Sequence, residues 1–268
     1  MKTRILITVK TYPNLTQKEE LVCTAGITED GRWIRIYPVP FRKLDYSHRY
    51  KKFQWITVNI EPAGPRDRRP ESHKLIDYDI QVGEEVKEWE TRKDYLLNGS
   101  LPIYDSREKL LAEMRKNGTS LAIFKPNRVL KMTHKKVERA WPKKCLDALK
   151  VRQEQGNFLN LDDGQYLCET AEKIPYVFRY QFEDVDGHQI HMMVEDWEIG
   201  MLFLNTRKDH DEAKAVEMVK EKYMKMAAEN DIYFFLGTSF KNQQKNAPNP
   251  FLIVGVFAPP KTEQLRMW

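Results

Sequence analysis

The chain has 268 residues, of which 41% are hydrophobic and 31% charged, with a formal net charge of +5. That composition belongs to a globular chain large enough to bury its own core, and it argues against a disordered protein. No apolar run approaches the roughly 20 residues that cross a bilayer, and the opening MKTRILITVKTYP lacks the apolar length of a signal peptide.

In chain order, Ile5, Ile7 and Val9 alternate with Leu6, Thr8 and Lys10, which predicts a two-faced strand that stops at Pro13. Residues 20–27 and 32–37 read as an antiparallel hairpin around Glu29-Asp30-Gly31, ended by Pro38 and Pro40. Residues 53–60 form a fourth strand, and four strands in about 60 residues predict a curled or barrel-like sheet. The stretch 64–73 offers little to bury and reads as a loop, and 86–97 is left open between helix and strand. Asp105-Ser106 caps a helix over 107–116, with Gly118 at its end. Strands are expected at 121–124, 129–132, 176–182, 189–194, 232–236 and 251–257, with one long helix over 211–230 and a polar loop at 241–249. The sum is an α+β protein dominated by antiparallel sheet, with a few packed helices. One compact domain over 1–268 is expected, with a strand-rich basic half at 1–160 and a mixed half at 161–268.

Several chemistries are missing from the sequence. It has no G-x-G-x-x-G, no G-x-x-x-x-G-K-[ST] and no G-x-S-x-G, so the corresponding dinucleotide, nucleoside-triphosphate and hydrolase-elbow readings drop out. Cys23, Cys145 and Cys168 are odd in number and widely spaced, which argues against a disulfide framework or a structural zinc site and makes a cytoplasmic location the expectation. Cys23 shares a strand face with Leu21 and Ala25 and reads as a small buried thiol. His188 and His191 fall on opposite faces of a strand, and Asp184 and Asp186 read as turn residues. No metal and no cofactor are expected.

Three clusters could carry chemistry. In Val194-Glu195-Asp196-Trp197-Glu198-Ile199-Gly200, an extended backbone would put Asp196 and Glu198 on one side, roughly 6.5 to 7 Å apart, with Glu195 and Trp197 opposite. Two carboxylates so placed can split their pKa values and divide labour between holding a cation and activating water. Asp196 and Glu198 are therefore the catalytic candidates, with the alternative that they end a strand or start a helix. In the second cluster Trp33, Arg35 and Tyr37 share a face, beside Tyr12 if the first strand pairs with this hairpin, so these rings and Trp197 are candidates for stacking or lining a pocket. The third is basic sequence interleaved with aromatics, which suits a nucleic-acid backbone and its bases. It comprises Arg42, Lys51 and Lys52, then Arg66, Arg68 and Arg69, and with Arg35 it extends to Lys135, Lys136 and Arg139 inside a run from 131 to 152 whose local charge is +6.

The blocks KTYPNL (10–15), CTAGITEDGRWIRIYPVPFR (23–42), RPES (69–72), VEDWEIG (194–200), YFFLGT (233–238) and FLIVGVFAPP (251–260) span nearly the whole chain. With them the sequence resembles compact bacterial proteins of phage-defence loci, the DNA glycosylases that excise α-glucosyl-hydroxymethylcytosine from modified phage DNA. The resemblance implies an enzyme that cuts N-glycosidic bonds and leaves abasic sites in double-stranded DNA carrying modified bases. The expected partner is DNA rather than a membrane, with the chain a monomer or weak dimer. A Mg²⁺-dependent nuclease using Asp196 and Glu198, a non-enzymatic nucleic-acid binder and a small-molecule enzyme are the alternatives.

Overall fold

The computed structural model describes residues 1–65, 67–158, 170–239, 242 and 247–261, with 152–158 as backbone alone. Arg66, Cys168, the side chain of Arg152 and most of the 241–249 loop lie outside the described residues. Seven strands occupy the first 85 residues: β1 (Lys2–Lys10), β2 (Asn14–Leu15), β3 (Glu20–Thr28), β4 (Trp33–Val39), β5 (Gln54–Pro62), β6 (Ser72–Leu75) and β7 (Gln81–Glu85). Five of them close into a barrel in the order β1-β3-β4-β6-β5, with β5 returning to β1. Only the β4–β6 pair in this ring is parallel. Closure removes the sheet edges that four successive short strands would otherwise expose. The barrel-like expectation for the N-terminal part therefore holds, and β6 and β7 come from sequence too polar to announce itself.

Next in the chain come α1 (Trp89–Leu96), β8 (Ile103–Tyr104), α2 (Arg107–Asn117), β9 (Leu121–Phe124), β10 (Arg128–Lys136), α3 (Lys143–Phe158), β11 (Tyr176–Glu183) and β12 (Gln189–Met193). The chain then forms α4 (Trp197–Thr206), α5 (Glu212–Glu229), β13 (Tyr233–Thr238) and β14 (Phe251–Phe257). Two further sheets result, ordered β14-β13-β9-β8 and β10-β11-β12. Ser106 accepts the Lys109 amide and Gly118 closes α2 at φ +72°, as the capping signals require. Because β10 pairs with β11 from Arg128↔Glu183 to Lys136↔Tyr176, a single sheet bridges the division expected at residue 160. The change of architecture falls instead between α1 and β8.

Alternation within β9 and β13 explains their uninterrupted apolar sequence. Leu121, Ile123 and Phe235 face the barrel and join Leu6, Val9 and Trp55 in one core. Ala122, Phe124, Phe234 and Leu236 face the other way, toward β11, β12, α4 and α5. A strand buried on both faces has no polar face to display. A third core, with Ile5, Ile7, Ile36 and Val58, fills the barrel. The expected common face of Ile5, Ile7 and Val9 is broken by a bulge between Ile7 and Val9 in the pairing with β3. The bulge moves Val9 to the outer face with Leu6 and leaves Lys10 over the rings of Phe41 and Trp197.

Helix α4 fits close to Tyr12 because residue 200 is glycine. A Cβ there would lie 2.3 Å from Cδ2 of the Tyr12 ring. Gly200→Ala is expected to lower stability by about 1–2 kcal/mol despite the better helix propensity of alanine, since overpacking outweighs it. Urea unfolding of the two proteins checks this, and equal midpoints would show that the ring yields freely.

Candidate functional site

Beyond Lys10 the first strand continues as Thr11-Tyr12, and residues 194–196 cross from β12 to α4 beside it. Thr11 bridges Asp196, the Tyr12 amide donates to the Glu195 carbonyl at 3.4 Å, and the Glu195 amide donates to Ile253 O at 2.8 Å. This crossing strand ties the barrel to β14. A cavity of about 700 Å³ borders it, and beside it lies a cluster of charges.

The charge cluster contains the two carboxylates singled out in the sequence, but not in the expected geometry. Asp196 is the N-cap of α4, with its side chain accepting the Glu198 amide at 3.4 Å, and Glu198 stands in the first helical turn. They do not share a strand face. Asp196 is 2% exposed and also accepts the Val256 amide at 3.3 Å. Lys52 lies 3.7 Å from Asp196 and 3.8 Å from Glu198, and its ammonium donates to Val256 O at 3.0 Å. Burial pushes the Asp196 carboxyl well above the ordinary range, against the pull of Lys52. Glu198 moves down despite its own desolvation, because Lys52 and the hydrogen bond with Asp196 favour its ionised form.

Lys52 reaches this cluster from a turn in which Phe53 takes φ +60°, a left-handed conformation costly for a bulky residue and held by packing on Phe257 and Arg92. Lys10 is 8% exposed, lies 4.2 Å from the Phe41 ring centre and 4.6 Å from that of Trp197, and donates to Tyr50 O at 3.3 Å. Burial lowers its pKa to about 8, against the attraction of Glu198 and Asp196.

The cavity is lined from both parts of the molecule. Leu21, Cys23 and Ala25 present one face of β3, as their alternation indicated, but that face borders the void, so Cys23 is not packed away in a core. Tyr12, Tyr37, Trp141 and Tyr176 supply aromatic walls, and Lys74 and Lys173 bring positive charge to the lining. Glu195 is among the residues that line this space and is exposed there, and the protein packed around it raises its pKa above the ordinary range. No hydrogen bond or ion pair reaches its carboxylate among the described residues. Sequence alternation placed Glu195 opposite Asp196 and gave it no role. The signal that could have found it is its position one residue before a helix cap, where the chain crosses between two sheets.

Arg35 is 2% exposed and forms part of the cavity lining, held by Ser72 and Ser120. Arg69, 9% exposed, pairs with Asp67 at 2.6 Å and donates to Thr238 O at 2.7 Å. Burial pushes Asp67 up, but its hydrogen bonds and ion pair with Arg69 outweigh it and hold the carboxyl below the ordinary range. Arg35, Lys52 and Arg69 are thus interior cations and not the surface phosphate contacts expected of them, because each is drawn in by a buried acceptor. Trp33 likewise packs edge-on against Phe235 in the core and does not reach the cavity.

Tyr12 and Tyr37 do line the cavity, while Trp197 packs between Phe41 and Tyr12 at its back. Arg42 pairs with Glu20 at 2.9 Å and Lys51 with Glu85 at 3.2 Å. Arg68, Lys135 and Lys136 are exposed, the last two at the end of the edge strand β10, and Arg139 pairs with Glu212. Among the described residues, the one group with metal-ligand geometry is Asp184, Asp186 and His188. It is a turn: Asp184 accepts the amides of Arg107, Asp186 and His188 at 3.1, 3.1 and 2.8 Å, which commits its oxygens.

Residues 104–268 match the family model described as Domain of unknown function (DUF8757), and residues 1–98 match Domain of unknown function (DUF8758). The first match covers more than half of the chain, which therefore belongs to the DUF8757 family. The two matches meet between α1 and β8, at the architectural change. No curated protein matches the chain. No helix among the described residues is long and apolar enough to cross a membrane.

Two consequences of the buried charges can be measured. Lys52→Met leaves the Asp196–Glu198 pair without its cation and is expected to cost about 3 kcal/mol. Asp196 already has a raised folded-state pKa, so its neutral form is the tolerated one. The loss should be greater at pH 8 than at pH 5 in denaturant titrations at the two pH values. Lys10 has the opposite linkage. Its folded pKa of about 8 lies below the ordinary 10.5, so the unfolded chain binds more protons in that window and stability should gain from Lys10 as pH rises through it. Lys10→Met should lose that gain, which unfolding at pH 7.5 and pH 10 would reveal as a flatter profile.

Proposed function

We propose that this protein is a DNA N-glycosylase that takes a modified base out of the duplex and leaves an abasic site. The observation that carries the reading is Glu195, a carboxylate free of hydrogen bonds and ion pairs among the described residues, raised in pKa by burial, in a cavity of about 700 Å³ with aromatic walls. That volume lies within the roughly 300–1,000 Å³ of small-molecule sites and leaves room for a base with a substituent. An extruded base needs aromatic faces to replace lost stacking, which Tyr12, Tyr37, Trp141 and Tyr176 offer. Lys74 and Lys173 in the lining, with exposed Arg68, Lys135 and Lys136, suit phosphates beside the extruded nucleotide.

In the reaction the C1′–N bond breaks with its electron pair going to the base nitrogen. Water oxygen bonds to C1′, and the proton it sheds passes to Glu195 and from there to the base. The ionised carboxylate also stabilises the positive charge that develops on the sugar. The identity of the modification, a glucosylated hydroxymethylcytosine, is the resemblance's contribution to the proposal.

The nuclease alternative fits less well. The Lys52 ammonium already occupies the space between Asp196 and Glu198 where Mg²⁺ would have to bind, and both Asp196 oxygens accept backbone amides. A plain DNA-binding protein has no use for a carboxylate that lines an aromatic-walled cavity without a hydrogen bond or ion pair among the described residues.

Incubation with plain, hydroxymethylcytosine-bearing and α-glucosylated DNA tests the proposal, with released bases read by mass spectrometry and alkali-labile sites on a gel. Release of the modified base is expected, with EDTA present, and with strand breaks only after alkali. Glu195→Gln should reduce release about 10²–10⁴-fold while DNA affinity stays within a few-fold. Because the ionised form is required, wild-type release should fall as pH drops through the raised pKa of Glu195. Immediate breaks without free base, or wild-type release by the glutamine variant, would overturn the assignment.

A further inference from the structure

We infer that the smaller hollow between the 41–49 loop and α4 is a second nucleotide subsite. It takes the base next to the extruded one, with Arg49 on the adjoining phosphate, so that two consecutive nucleotides leave the stack and Tyr12 stands between their bases. The inference rests on the glycosylase reading and adds to it a site for the neighbour of the target.

This hollow has a volume of about 270 Å³. Phe41 and Trp197 give it aromatic walls, Met201 and Leu204 bring apolar surface from α4, and Arg42 and Arg49 bring positive charge. Tyr12 and Pro13 line it as well as the larger cavity, so the two spaces are neighbours across these side chains. The volume falls just under the roughly 300–1,000 Å³ of small-molecule sites and suits one planar group.

The rings are fixed before a ligand arrives. The Tyr12 hydroxyl donates to Glu172 O at 2.7 Å, and its ring centre lies 6.1 Å from that of Trp197. Phe41 and Trp197 meet edge-on with centres 5.5 Å apart. Rings held in place lose little freedom when a base stacks on them. The Lys10 ammonium already takes the cationic position against Phe41 and Trp197, which disfavours a cationic ligand here.

The remaining charges favour an anion. Glu172, the acid in the lining, is committed to Arg207, whose Nη2 donates to it at 2.7 Å. Arg42 is paired with Glu20. Arg49 makes no ion pair among the described residues. Instead the Leu44 and Arg42 carbonyls accept from its Nε and Nη2, each at 2.8 Å. Two backbone carbonyls orient the guanidinium without neutralising it, which is what a phosphate contact requires. An aromatic slot beside such an arginine has the chemistry of a nucleotide site. A strand with one base in each space has the Tyr12 side chain between them. One ring so placed sets the bases at about twice the stacked rise of about 3.4 Å, so both must leave the stack.

Fluorescence anisotropy of short single strands binding to the full chain tests this. Each strand carries one 5-hydroxymethylcytosine on a 2′-fluoro sugar, which resists positive charge at C1′ and keeps the base in place. A baseless tetrahydrofuran nucleotide replaces the 5′ neighbour in one probe and the 3′ neighbour in another. Affinity should fall about 10-fold for one of these two and stay within about twofold for the other. In Met201→Trp, where the indole fills the hollow, the weakened probe should bind no worse than the intact strand. Arg49→Gln should make the slope of log affinity against log salt shallower by about 0.7. Equal wild-type affinity for all three strands, an equal loss on both sides, or a loss retained in a folded Met201→Trp protein would overturn the inference. The wild-type comparison decides by itself if that variant does not fold. An unchanged salt slope would remove the phosphate from Arg49. Base release from modified DNA with no one-sided loss would sink the subsite and leave the glycosylase reading in place. A one-sided loss without base release from any DNA would do the reverse.

Discussion

One carboxylate holds the junction on which the rest of the molecule is arranged. Asp196 starts α4 as its cap, accepts a backbone amide from β14 and faces an ammonium sent from the barrel by a strained turn. A helix begun one residue earlier or later would displace Glu195 from the cavity and Gly200 from the Tyr12 ring. The cost of burying these charges is met by the number of backbone partners they satisfy, which is the condition under which a buried ion cluster is tolerated.

The cavity exists because the two parts of the chain meet along only part of their facing surfaces. Where Leu6, Trp55, Phe235 and Phe257 meet, the contact is apolar and continuous. Toward Cys23 and Arg35 the strands carry side chains too polar or too small to fill the gap, and the surfaces separate. The gap contains a positive group on one wall and a negative group on another with no direct ion pair between them. Opposite charges within one small volume give the gap both donor and acceptor character.

How much of this was legible in the sequence depended on whether local pattern or distant contact decided each residue. The hairpin of β3 and β4, the capped helix α2, and the strands β9 and β14 follow from alternation, capping residues and turn signals that act within a few positions. Helix α4 was hidden, since Trp197 to Thr206 is apolar on most sides and its cap could equally have ended a strand. The polar strands β6 and β7 were hidden too, because the barrel, and not their own side chains, makes them strands. Arginine and lysine were the hardest to place. Arg35 and Arg69 have the sequence context of a surface patch, and only the serines and glutamate around Arg35 and the Thr238 carbonyl at Arg69, brought in from distant segments, turn them inward. Alternation tells which residues share a side but not which side opens onto a void, so the sequence favours Asp196 over Glu195.

The barrel's outer apolar face has a consequence for synthesis. Leu6, Val9, Ala25, Phe53 and Trp55 belong to the first 60 residues, but the residues that cover them include Ile123, Phe235 and Phe257. While the chain is emerging from the ribosome, a barrel already able to close its lumen core would carry a bare hydrophobic flank until the last strand, some two hundred residues later, is released. A flank of this kind is a binding surface for chaperones and for other nascent copies. The two family segments therefore share one hydrophobic core despite their separate sequence boundaries. A chain truncated at the seam would leave those residues uncovered.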